Sequence, residues 1–167
     1  MAPSLDDNDS RTSVSAKGRP GASQSSVSDS GNLYQWIFEN LQDIFFRTDP
    51  AGNILLASPS AQRLMQFQME EIIGRNIRTF SPTPNMFDRL AKIVLERDFV
   101  EKFEVQLRRK DRSLFWVAIN ARIFRNTEDA VVGIDGIYRD ISIRKNFQEA
   151  FRQTETRYRA IFDNMRD

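Results

Sequence analysis

The sequence predicts an α+β domain: a β-hairpin, a group of short helices and a three-stranded antiparallel meander, led in by one helix and followed by a longer one. Three observations carry that reading. Apolar and polar residues alternate over three stretches between Phe103 and Arg139, the period of half-buried strands. Segments of helical period lie before, between and after the strand-like stretches. Every aromatic residue of the 167-residue chain lies from Tyr34 onward, which leaves one ordinary globular domain plus extensions.

Residues 1–31 hold nine Ser, three Gly and two Pro without an aromatic, too little apolar surface to order a chain, so they read as a disordered tail with regulatory phospho-acceptors as the alternative. Tyr34, Ile37, Phe38 and Leu41 then recur on one face of a short helix. Ile44–Thr48 and Asn53–Ala57 flank Asp49-Pro50-Ala51-Gly52, in which Pro presets φ and Gly suits the exit, giving strand, tight turn, strand. Ser60 is placed to cap a helix through Met65, and Met69–Ile73 runs into Gly74, a helix stop. After the breaker Ser81-Pro82-Thr83-Pro84, residues Met86, Phe87, Leu90, Ile93 and Val94 share one helix face.

In the meander, Phe103, Val105 and Leu107 alternate with polar residues, as do Val117, Ile119, Ala121 and Ile123, and then Val132, Ile134, Gly136 and Tyr138. If these positions share a face, they meet Leu64, Met65, Ile72, Ile77, Phe80, Met86, Phe87 and Leu90 from the helices. That face is either a packed core or the wall of a pocket. As a pocket it would be lined by Met65, Ile77, Phe80, Met86, Phe87, Phe103, Val105, Val117, Ile119, Ile134 and Tyr138, and would take a small apolar or aromatic ligand. The opposite face carries Trp116, too apolar for water, and the helix bearing Tyr34, Ile37, Phe38 and Leu41 is the expected cover, from the same chain or a dimer partner. The run Arg108-Arg109-Lys110 with Arg112, and the carboxylates Glu70-Glu71 and Glu101 with Glu104, read as solvated charge.

From Ser142 the period is helical again through Ile143, Phe147, Ala150, Phe151 and Thr154, with Asp140 or Ser142 able to cap the helix. Heptad-like spacing at Phe147, Ala150 and Thr154, interrupted by Arg157, predicts a short, weak coiled coil. Tyr158–Asp167 then repeats Tyr34–Asp43 at five of ten positions, 124 residues on, as the start of a second module would.

Composition excludes several functions. A balance of 24 basic against 23 acidic side chains argues against dedicated nucleic-acid binding. The absence of Cys and His removes disulfides, the usual zinc sites, His- or Cys-ligated haem and Ser-His-Asp catalysis. No metal site and no catalytic residues are assigned: no nucleophile–base pair or Gly-rich phosphate loop is visible. No apolar run approaches membrane-spanning length, and a cytoplasmic location without membrane contact is expected for this segment.

The element order, the Asp49–Gly52 hairpin, Glu70-Glu71-Ile72-Ile73-Gly74-Arg75 and the closing run Gly136-Ile137-Tyr138-Arg139-Asp140-Ile141-Ser142-Ile143-Arg144-Lys145 together resemble a PAS sensor domain over about residues 34–145. That resemblance implies a five-stranded antiparallel sheet of order 2-1-5-4-3, with short helices on one face. It implies a signalling junction at Asp140, Ile141 and Ser142, with Ser142 where the family's triplet has Thr. The implied layout is a tail over 1–31, the PAS domain over 32–142, a linker helix over 143–157 and a second PAS-like repeat from 158 to 167. Homodimerisation is also implied, with further PAS and effector domains downstream in a bacterial histidine kinase or cyclic-dinucleotide enzyme. Gly74–Arg78 is similar to the flavin-adduct segment of light-oxygen-voltage receptors. Ile77 stands at their cysteine position, and Leu107 and Val117 stand where they carry flavin-binding amides. Cysteinyl-flavin chemistry is therefore excluded, noncovalent flavin and haem are disfavoured, and a ligand-free architectural module is the alternative to a ligand sensor.

Overall fold

A computed structural model describes residues 24–164. The elements are α1 (Gln24–Glu39), β1 (Ile44–Thr48), β2 (Ile54–Ala57), α2 (Pro59–Met65), α3 (Met69–Ile72), a 3₁₀ turn (Ile77–Phe80), α4 (Met86–Arg97), β3 (Phe99–Arg108), β4 (Leu114–Arg125), β5 (Val131–Asp140) and α5 (Ser142–Asn164). The five strands form one antiparallel sheet of order β2-β1-β5-β4-β3, the order the resemblance implies.

Alternation along the strands sorts the side chains. Ile44, Phe46, Val105, Leu107, Phe115, Val117, Ile119 and Tyr138 point to the helix-covered face and are buried with Met65, Ile72, Ile77, Phe80, Phe87, Leu90 and Val94. This is the shared face expected from the period-two pattern, joined by β1 and by Phe115. Gly74 ends the α3 segment in the left-handed region, φ +80°, and its N–H donates to the Ile54 carbonyl, which ties the helical insert to β2.

The structure departs from expectation at several points. Helix α1 begins at Gln24, so residues 24–31, assigned to the tail, are helical; residues 1–23 lie outside the described residues. Ser60 is not the cap of α2, because the helix starts one residue earlier at a Pro suited to a first turn, after Ser58. Ser60 Oγ instead donates to the Asp43 carbonyl and bonds Ser58 Oγ, which accepts the Phe45 N–H. Helix α5 runs unbroken through residues 143–157 and on to Asn164, so the linker and the start of the repeat are one helix; residues 165–167 lie outside the described residues.

Candidate functional site

Three regions bear on function: the helix-covered face, the outer sheet face and the junction with α5. On the first, all eleven residues assigned to a pocket lie in one cluster, eight of them buried and Met86, Phe103 and Ile134 packed against its rim. They fill the space themselves. Phe80 meets Phe67 edge-on at 5.2 Å, and Tyr138 meets Phe46 at 5.1 Å. A space of about 30 Å³ beneath the β1–β2 turn is bordered by Thr48, Ile77, Phe87, Leu90, Ile134 and Tyr138. That space is the size of about two waters.

The outer face is open. A groove of about 780 Å³ is bordered by Phe45, Phe99, Asn120, Arg122 and Ile137, with Phe99 and Ile137 exposed. Arg47 lies over the Phe124 ring at 3.5 Å and donates twice to Asp135, at 2.7 and 2.8 Å; those bonds raise its pKa above the usual value. Helix α1 reaches this face through Phe38, whose ring meets Phe45 at 6.0 Å, and Leu41 is half-buried. Tyr34, Trp36 and Ile37 stay exposed. The cover over Trp116 is therefore not α1: the Lys145 ammonium, from the first turn of α5, sits 4.6 Å from the ring centre.

At the junction, the strand end and the helix start are laced to β4. Ile141 N–H donates to the Trp116 carbonyl at 2.9 Å, and Trp116 N–H donates to Ser142 Oγ at 3.0 Å. Asp140 Oδ1 accepts the Ser142 N–H at 2.8 Å, satisfying one of the free donors of the first helical turn, while Asp140 Oδ2 lies 3.6 Å from Arg109 Nη2. Arg109 is no solvated hairpin charge. Its Nε donates to the Leu64 carbonyl at 2.8 Å and its guanidinium lies 4.1 Å over Phe115, so one side chain joins α2, β4 and the junction.

Glu104, read from sequence as solvated, holds the first turn of α5 by accepting from Arg144 and Lys145, each at 2.5 Å. The clue was present in the sequence: two cations at a helix N-terminus oppose the helix dipole and call for an acidic partner. Those hydrogen bonds, Lys145 first, hold the Glu104 carboxyl below its ordinary value of 4.5. The clamp is therefore complete above that value and is lost as pH falls through the lowered one. The protection of the Lys145 amide, taken relative to its intrinsic exchange rate at each pH, is expected to fall as pH drops below the ordinary carboxyl value of 4.5, and Glu104→Gln is expected to show the lower protection already at neutral pH.

Beyond Lys145, α5 leaves the domain. Phe147, Phe151, Thr154, Tyr158 and Ile161 are all exposed, at alternating spacings of four and three residues. This is an unpartnered heptad seam. It differs from the expected Phe147, Ala150 and Thr154 set, and Arg157 flanks it rather than interrupting it. Among the described residues, no cluster of three or more acidic, His or Cys side chains could hold a metal ion, and no helix is long and apolar enough to cross a membrane.

Comparison with known proteins places this geometry. The model of the PAS domain family matches residues 42–142. Among solved structures, an RNA-binding light-oxygen-voltage receptor aligns with TM-score 0.67 and 18% identity over 86% of this chain, which spans only 42% of that receptor. The PAS domain of a protein from Colwellia psychrerythraea aligns with TM-score 0.61 and 20% identity, covering 68% of this chain and 98% of that one. The PAS domain of an HTR-like protein from Haloarcula marismortui aligns with TM-score 0.60 and 21% identity, covering 71% and 97%. At these identities the likeness is one of fold. Among curated proteins, none matches the chain in sequence.

Proposed function

Because the chain belongs to the PAS domain family, we propose that it is a sensory and dimerisation module of a multidomain signalling protein, passing the state of its sheet into α5 without catalysis of its own. The observation that carries this reading is the contrast along α5. Its first turn is tied to β3, β4 and β5 by Glu104, Trp116 and Asp140, whereas the rest presents an apolar seam with nothing against it among the described residues. A helix clamped at one end and adhesive along its length can carry a change of sheet packing to a second copy and to whatever follows in the chain. The proposed partners are a second copy through the seam and α1, and a downstream PAS repeat and effector of the histidine kinase or cyclic-dinucleotide class. The proposed location is cytoplasmic.

Of the two inputs the sequence left open, the packing supports the architectural one over an apolar or aromatic ligand. The eleven candidate lining residues contact one another, so a ring-sized molecule would have to displace core that contributes about 25 cal/mol per Å² of buried apolar surface. The test is native mass spectrometry with an absorption spectrum on protein purified without refolding. A colourless dimer without added mass of aromatic size is expected; a yellow solution, a Soret band or a monomer would overturn this reading.

A further inference from the structure

We infer that Arg109 is a positioning residue that couples the α2–α3 segment to the start of α5, so that loosening either end loosens the other. The inference rests on the relay reading and adds to it an input that enters through the helices covering the sheet, not through the strands.

The coupling starts at the end of α2. The carbonyls of a helix's last turn lack an intrahelical partner, and Gln66 closes this helix in the left-handed region, φ +64°. Two of those carbonyls are taken up by the β3–β4 hairpin. Arg109 Nε donates to the Leu64 carbonyl at 2.8 Å, and the Lys110 N–H donates to the Met65 carbonyl at 3.0 Å. The hairpin also reaches α3, because the Lys110 ammonium donates to both Glu71 carboxylate oxygens, at 2.8 and 2.6 Å. Glu71 Oε2 in turn accepts the Gln68 N–H ahead of α3 at 2.9 Å. Neighbouring residues of one hairpin thus hold the end of α2 and the start of α3.

Arg109 continues that hold to the junction. Its Nη2 lies 3.6 Å from Asp140 Oδ2, and Asp140 Oδ1 accepts the Ser142 N–H at 2.8 Å. The two side chains are 21% and 28% exposed, sheltered enough for the pair to keep its geometry. A guanidinium is a rigid planar fork, and the buried Phe115 ring lies 4.1 Å from its centre, so Nε and Nη2 move as one body. Turning Nη2 away from Asp140 draws Nε off the Leu64 carbonyl, and detaching the end of α2 frees the fork to turn. The Leu64 carbonyl and the Asp140 carboxylate therefore share one cation, along a path from α2 to Ser142 that follows no strand. A coupling of this kind is reciprocal: what the α2 end does to α5, the start of α5 does to α2.

The experiment is a mutant cycle on the whole chain, read by residue-resolved hydrogen exchange with each amide's protection taken relative to its intrinsic rate. Glu71→Ala loosens α3 without altering Arg109, and Asp140→Ala loosens α5. Each is combined with Arg109 and with Arg109→Met, which keeps an unbranched side chain over Phe115 but no cation. With Arg109 present, Glu71→Ala is expected to lower protection of the Ser142 and Lys145 amides about fivefold, and Asp140→Ala to lower that of the Gln66 and Lys110 amides by a similar factor. With Arg109→Met both transferred effects are expected to vanish. Should Arg109→Met fail to fold, Arg109→Lys serves in its place: a single ammonium keeps the charge but cannot reproduce the fork, so the same loss of transfer is expected. Transferred effects that persist at full size without the guanidinium, or unchanged Ser142 and Lys145 protection in Glu71→Ala, would overturn the coupling. If Asp140→Ala still loosens Ser142 in that second case, the relay reading stands, so the two fail separately.

Discussion

Gly133→Ala is expected to destabilise the domain by about 3–5 kcal/mol, a large part of the total stability of a domain this size. A Cβ at this position would lie 1.8 Å from the Thr48 carbonyl oxygen and 3.0 Å from its carbon, with the Asp49 Cα 3.4 Å away. The obstacle is backbone, not the end of a side chain that could turn aside. Relief requires β5 to move off β1 where Thr48 pairs with Ile134, disturbing the centre of the β2-β1-β5-β4-β3 sheet. Thermal unfolding is expected to show a midpoint lower by about 10 °C or more. A shift of only a few degrees would mean that β1 and β5 are less closely apposed than described.

The second large effect concerns association. Phe147→Glu with Phe151→Glu is expected to abolish the dimer while leaving the domain folded, because both phenylalanines are 73% exposed and contribute nothing to the core. Association would bring the new carboxylates together in an apolar seam, where unpaired charge costs several kcal/mol. A loss in dimer affinity of more than about a hundredfold follows, read by sedimentation equilibrium. The variant's thermal midpoint is expected to match that of monomeric wild-type protein. A variant that remains dimeric would place the interface elsewhere, and the outer sheet groove between Phe45 and Phe99 would be the next candidate.

The parts of this structure legible in the sequence are those specified locally. Asp49-Pro50-Ala51-Gly52 encodes its turn through the backbone preferences of Pro and Gly, and alternation from Phe103 to Tyr138 identifies the inward face of each strand. Neither signal tells whether inward residues touch one another or surround a space. Core and pocket therefore shared one pattern until the packing of Phe46, Phe67, Phe80 and Tyr138 was seen. The site residues that escaped are those whose partners are distant in sequence. Glu104 finds Arg144 and Lys145 forty residues on, and Arg109 reaches Leu64 and Asp140 from a hairpin whose charge density suggested only solvation. The apolar Trp116 calls for a cover, and the flexible, amphipathic Lys145 supplies it in place of the apolar α1. The bond from the Ser142 N–H to Asp140, a short acidic residue just ahead of a helix, is legible because it is local.

The most direct measurement of the relay is residue-resolved hydrogen exchange on the wild-type chain and Asp140→Ala. Asp140 is the residue that accepts the Ser142 N–H and faces Arg109, so its removal is expected to unfasten the start of α5 and leave the sheet alone. Protection of the Ser142 and Lys145 amides should fall about tenfold or more while β1, β4 and the rest of β5 exchange as in the wild type. Unchanged protection in the first turn of α5, or loss spread evenly over the sheet, would contradict coupling through this junction.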